Sequence, residues 1–104
     1  MTTQTQQRTS HPYFMHDAIH GQPDAIARVL DEERNVVSVL AEIASATQRV
    51  HVVGIGTSWH ASLVGEYLLR IVGGREDARA LNTFEFCAYP PRLGDADAVI
   101  VMSH

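Results

Sequence analysis

Val50-His-Val-Val-Gly-Ile-Gly-Thr-Ser-Trp-His60 is the stretch on which the fold turns. Its first part, Val50 to Val53, is a short apolar run rich in β-branched residues, which suit a pleated, covered surface, so a buried strand is predicted there. The run breaks at Gly54-Ile55-Gly56, where backbone lacking Cβ can turn tightly or approach a ligand closely. Thr57 and Ser58 then supply two hydroxyls at the predicted start of a helix. Such hydroxyls can cap the helix, and a helix N-terminus with free N–H groups is also a ready anion site. Strand, glycine turn, hydroxyls and helix together are how an α/β protein holds a phosphate.

Downstream, a helix is predicted from about Ser58 to Val72, with Val64, Leu68 and Ile71 on one amphipathic stripe and Leu63 and Tyr67 at its margin. Gly73-Gly74 ends it. A second strand fits Ala78 to Asn82, and a helical turn fits Thr83 to Cys87 before Tyr89-Pro-Pro-Arg92 stops it. Ala98 to Met102 is an uninterrupted apolar run, the mark of a strand covered on both faces. Upstream, residues 1 to about 11 form a Gln/Thr-rich tail with nothing to bury, expected to be disordered. Residues 12–48 read as a helical arm. A first short helix is interrupted at Gly21-Gln22-Pro23, and Pro23 suits the first turn of the next. From there two helices are predicted, or one with a bend near Asn35.

Strands alternating with helices imply a parallel sheet with right-handed crossovers, where ligands bind at the carboxyl ends of strands. Three such ends are predicted, at Gly54 to Ser58, Asn82 to Glu85, and Ser103-His104, and all offer hydroxyls or a carboxylate.

Composition sets the bounds. At 104 residues the chain is at most one small domain, and 45% hydrophobic with 19% charged residues is ordinary for a soluble globular protein. A net charge of −4 with dispersed arginines argues against a nucleic-acid partner. No apolar run approaches the roughly 18 residues that span a bilayer, and the polar N-terminus lacks a signal-peptide core, so no membrane partner is expected. One cysteine, Cys87, permits no intramolecular disulfide, which fits the cytoplasm.

Three segments carry a resemblance. Ile55-Gly-Thr-Ser-Trp-His60, Asn82-Thr-Phe-Glu-Phe86 and Asp97-Ala-Val-Ile-Val-Met-Ser103 resemble, in this order, motifs of the sugar isomerase (SIS) domain. The closest likeness is to the first such domain in the isomerase half of the glutamine–fructose-6-phosphate aminotransferases, where a Cys-Gly-Thr-Ser-Tyr/Trp-His segment opens the sugar-phosphate site. The arm from Phe14 to Ile26 also resembles the lead-in of that family. The resemblance implies an α/β fold of three layers around a flavodoxin-like parallel sheet, incomplete here with three strands and preceded by N-terminal helices. Residues 49–104 are then the first part of the domain, cut within its second phosphate loop, and the chain is expected to be the N-terminal piece of a longer protein.

Carried over by motif, Gly56, Thr57 and Ser58 match the segment that contacts the sugar phosphate. Ser103 matches the first serine of the second phosphate loop, and His104 stands where glutamine is usual. Glu85 matches a glutamate assigned to shaping the pocket, and Ile55 replaces the cysteine. The family's catalytic glutamate, histidine and lysine lie in parts with no counterpart here, so no catalytic residue is assigned. Thr2 follows Met1 where a glutaminase domain begins with its nucleophilic cysteine, so no ammonia release from glutamine is expected. The implied ligand is a phosphorylated hexose or amino sugar, such as fructose 6-phosphate or glucosamine 6-phosphate. No cofactor or metal is implied, and the full-length protein is expected to be a homodimer. The parent would be an isomerase-aminotransferase or a deaminase- or deglycase-like relative. The alternative is a non-catalytic sugar-phosphate sensor within a regulator, against which the absence of a basic recognition helix in residues 1–48 counts.

Other motifs carry less. Trp59 occupies the third glycine position of a dinucleotide fingerprint, and the Lys-Ser/Thr pair of a P-loop is missing. His16 and His20 lie four apart, near His11 and Asp17, but no third metal ligand has suitable spacing, so these read as solvated or packing histidines. His60 reads as outward-pointing, His51 as packed within its strand, Trp59 as a lid or subunit contact, and Cys87 as buried and inert.

Overall fold

The computed structural model describes residues 7–103, so the expectation for His104 and much of that for the N-terminal tail lie outside the described residues. The element order is α1 (Phe14–Glu32), α2 (Arg34–Ser45), β1 (Arg49–Gly54), α3 (Thr57–Ile71), β2 (Arg79–Asn82), α4 (Thr83–Ala88) and β3 (Asp97–Val101). The chain divides into two units, Met1–Ser38 and Val39–His104.

In the first unit, α1 runs unbroken through Gly21-Gln22-Pro23, which corrects the predicted interruption. Pro23 withholds the donor that the Ile19 carbonyl would otherwise accept, yet Ile19 is exposed, so the freed carbonyl has access to water and the helix continues. The break falls instead at Glu33, with φ −98° and ψ 9°, two residues before the predicted bend. Arg8 pairs with Asp17 at 2.5 Å and lies 3.9 Å above the Phe14 ring, tying the segment before α1 to its first turn.

In the second unit, three strands form a parallel sheet in the order β2-β1-β3. This is the opening of the flavodoxin-like order, with its switch point between β1 and β3. His51 faces Arg79 on one side and Val99 on the other, which fixes the register. β1 is the covered strand: Val50, Val52 and Val53 are at most 2% exposed, as the uniform apolar run predicts. The chain moves to one side of β1 for β2 and to the other for β3, so the right-handed crossover rule assigns α3 and α4 to opposite faces.

Three packing expectations are corrected. The large stripe Val64, Leu68, Ile71 is exposed, and the sheet receives the small residues Ala61, Ser62 and Gly65 with Leu69. Small residues win that face because β1 ends in Gly54, against which the helix backbone lies directly. Among the described residues β3 pairs with β1 alone, and Val99, Ile100 and Val101 are exposed where the apolar run predicts a strand covered on both faces. Cys87 is exposed as well, on the outer side of a helix of only six residues.

Ionic clamps sit at the end of the sheet where the strands begin. Arg49 makes a bidentate pair with Asp97 at 2.6 and 2.8 Å, and the Gly94 N–H donates to the same carboxylate at 2.8 Å. These bonds, the Arg49 hydrogen bond first, hold the Asp97 pKa below the usual carboxylate range. Arg75 pairs with Asp77 and also donates to the carbonyls of Ala44 and Thr47, so it caps the end of α2. The hydrogen bond from Arg75 is the main reason that Asp77 is lowered to about 2.

Candidate functional site

The site is built where β1 hands over to α3. Gly56 has φ 62° and ψ −130°, the geometry of the first central position of a type II′ turn, which glycine alone adopts readily. The Ser58 N–H donates to the Ile55 carbonyl at 3.1 Å and closes that turn, and the Trp59 N–H donates to the Gly56 carbonyl at 3.0 Å. Gly54 fits beneath: a Cβ there would stand 2.6 Å from Ser62 Oγ and closer still to the Ser58 carbonyl oxygen. The turn is therefore pressed onto the strand end.

The capping alternative for Thr57 and Ser58 is not realised. The N-cap is Gly56, with no side-chain hydrogen bond to the first helical turn. Among the described residues the hydroxyls of Thr57, Ser58 and Ser103 carry no hydrogen bond, and the Thr57 N–H has no backbone partner. Donors at a helix N-terminus that the protein leaves free are donors for an anion.

β3 supplies the other wall. The Met102 N–H donates to the Val53 carbonyl at 2.8 Å, carrying the ladder past the strand end and setting Ser103 beside the turn. Between them lies a cavity of about 730 Å³ lined by Ile55, Thr57, Ser58, Ala61, Val101, Met102 and Ser103. It lies at the carboxyl ends of β1 and β3, the switch point of the sheet. Its walls are apolar and its polar groups are hydroxyls and amides. No titratable side chain lines it among the described residues, so it can bind but offers no general base.

The chain matches segments of known proteins. It is 31% identical over 98 residues to a glutamine–fructose-6-phosphate aminotransferase (isomerizing) of Gloeobacter violaceus, covering 88% of this chain and 16% of that protein. The protein of the same name from Methanothermobacter thermautotrophicus is 35% identical over 83 residues, covering 79% of this chain and 14% of its own length. That of Bacteroides thetaiotaomicron is 31% identical over 106 residues, covering 93% and 17%. The chain is related to one segment of these aminotransferases. It spans about one sixth of their length. No protein-family profile and no solved structure matches it.

Within this aminotransferase-related segment the predicted residues do not all converge. Thr57, Ser58 and Ser103 share the switch-point cavity, with Gly56 forming its turn. Glu85 does not join them: it is exposed on α4 and lines a separate cavity of about 280 Å³ with Leu81, Phe86, Tyr89 and Pro91. Asn82, at the end of β2, is occupied structurally, its side-chain oxygen accepting the Phe84 N–H at 2.9 Å as the N-cap of α4. The rings of His16 and His20 are 4.3 Å apart and those of His11 and His16 4.5 Å, but no group of three such residues is placed to hold a metal among the described residues. His51 is 7% exposed, and neither ring nitrogen has a hydrogen-bond partner among the described residues. Sequence reasoning missed Ser62, whose hydroxyl lies at the junction of strand, turn and helix. Its signal was a serine one helical turn beyond Ser58 on the face opposite the apolar stripe.

Proposed function

We propose that this chain binds the phosphate of a phosphorylated hexose or amino sugar, as the opening part of a sugar isomerase (SIS) domain. In this reading residues 12–48 are an arm, and residues 49–104 begin the domain. The observation that carries it is the switch-point cavity, in which unpartnered hydroxyls of Thr57, Ser58 and Ser103 meet the open N-terminus of α3. The relationship to the aminotransferases supports fructose 6-phosphate and glucosamine 6-phosphate as ligands. Hydroxyls and amide N–H groups suit a phosphate because they donate without a competing fixed charge, and the helix dipole favours the anion. The general base for isomerisation, which moves a proton between adjacent carbons, belongs to other parts of the protein, in a homodimer.

Trp59 is the one tryptophan of the sequence and lies in the first turn of α3, so its fluorescence reports on the site. Titration with glucosamine 6-phosphate and fructose 6-phosphate should give saturable changes that unphosphorylated glucosamine does not. The double variant Thr57→Val, Ser58→Ala should lose about tenfold or more in affinity, as expected when hydrogen bonds to a charged group are removed. Equal binding of phosphorylated and unphosphorylated sugars would overturn the reading.

A further inference from the structure

We infer that Ser62 is a positioning residue for the phosphate turn: its buried hydroxyl, bonded to the Ser58 carbonyl over Gly54, sets the orientation of the first turn of α3. The inference rests on the sugar-phosphate reading of that turn and assigns a role to a residue that touches no ligand.

Ser62 is 0% exposed and is the one buried residue of α3. Its hydroxyl donates to the Ser58 carbonyl at 2.8 Å. A second donor on a helical carbonyl tilts that peptide and bends the helix locally. Here the carbonyl that receives it belongs to the Ser58–Trp59 peptide, in the turn whose Thr57 and Ser58 line the cavity. The geometry at Gly54 shows how tightly the three parts are matched. The space a Cβ would need there is taken by the Ser58 carbonyl and by Ser62 Oγ, 2.6 Å away. Strand end, first helical turn and second helical turn thus meet at one point, and the hydroxyl is the directional bond among them. The Ser58 side chain makes no hydrogen bond of its own among the described residues, so its placement depends on this backbone contact.

A purely structural serine predicts a different response. Ser62→Ala removes one hydrogen bond but installs a better helix former, so the two effects oppose each other in global stability. Ser45 provides the control: its hydroxyl makes the same type of bond, to the Ala41 carbonyl at 2.7 Å, on α2 and outside the cavity.

The test compares the full chain with Ser62→Ala, Ser62→Thr and Ser45→Ala, measuring the Kd for inorganic phosphate and for glucosamine 6-phosphate together with Tm. Ser62→Ala should weaken both ligands by about three- to tenfold, the effect of one hydrogen bond, while its Tm stays close to that of Ser45→Ala. Ser62→Thr restores the hydroxyl and should recover part of the affinity. Amide chemical shifts of Thr57 and Ser58 in ligand-free protein should move in Ser62→Ala and not in Ser45→Ala. If the parent chain binds phosphate and Ser62→Ala binds it equally well, the positioning role falls and the sugar-phosphate reading stands. If the parent chain binds neither ligand, that reading falls and this role with it. Unmoved Thr57 and Ser58 amides would overturn the positioning role whatever the ligand result.

Discussion

Replacing Gly54 with alanine is the sharpest perturbation the fold offers, because everything else about the residue is permissive. Its backbone φ is not in the left-handed region, so alanine meets no conformational strain. The cost is steric. The added Cβ would lie 2.6 Å from Ser62 Oγ and from the Ser58 carbonyl carbon. Ordinary contact begins at about 3.4 Å and the Ser58 carbonyl oxygen is nearer still, so the first turn of α3 must retreat by roughly 1 Å or the strand end must bend. Overpacking of this kind costs about 1–3 kcal/mol. At about 2 kcal/mol, and with each 1 kcal/mol shifting the midpoint of a small domain by roughly 4–8 °C, Tm should fall by about 8–16 °C. Thermal unfolding followed by Trp59 fluorescence reads this at the displaced turn itself. Gly65→Ala is the paired control: its Cβ would meet Val52 Cγ1 at 3.4 Å, an ordinary contact, and helix propensity favours alanine by up to about 1 kcal/mol. Gly65→Ala should therefore be neutral to stabilising. A Gly54→Ala protein that melts within about 2 °C of the parent, or a Gly65→Ala protein destabilised as strongly, would refute the account of how α3 is seated.

Three further outcomes are expected. Gly56→Ala meets open space but inherits φ 62° and ψ −130°, so it should cost about 1–3 kcal/mol of stability, and Gly56→Asn should not rescue it because asparagine tolerates a left-handed geometry with positive ψ; rescue by asparagine in urea unfolding would contradict the turn assignment. Asp77 is lowered from 3.8 to about 2 in the fold by Arg75, so its contribution is fully present above about pH 4 and is lost as pH falls through 2; urea unfolding between pH 2 and 6 should show this slope, and Asp77→Asn should reduce it, whereas a stability rising toward acid would reverse the sign. His51→Leu removes a buried ring whose nitrogens are both unpartnered and should raise stability by about 1 kcal/mol, while a clear loss of stability would point to a partner for that ring.

The sequence made some of this legible because the deciding physics was local. Val50 to Val53 reads as a covered strand, and Gly56 followed by Thr57 reads as a turn into a helix, because burial and turn geometry there follow from neighbouring residues. The inward face of α3 was less legible. Hydrophobicity favours Val64, Leu68 and Ile71, but the sheet surface that receives the helix ends in Gly54 and selects small side chains, a requirement arising from a different element. The surroundings of β3 were not legible for a similar reason, since its apolar composition says nothing of which neighbours flank it. Glu85 and Thr57 belong to motifs in the expected order, yet order along the chain does not place side chains in one cavity. Proline at position 23 was given too much weight, because a break in an exposed helix can be repaired by water.

The sheet order also has a consequence for synthesis on the ribosome. β1 becomes the central strand only when β3 pairs with it, and Arg49 and Asp97, which open that pairing, are 48 residues apart. At roughly 5–20 residues per second, the nascent chain carries one open edge of its most buried strand for about 2–10 s before its partner is made. During that interval β2 can protect one side only. Slowing elongation between α3 and β3 should therefore raise capture of the nascent chain by chaperones, with no change in the sequence at all.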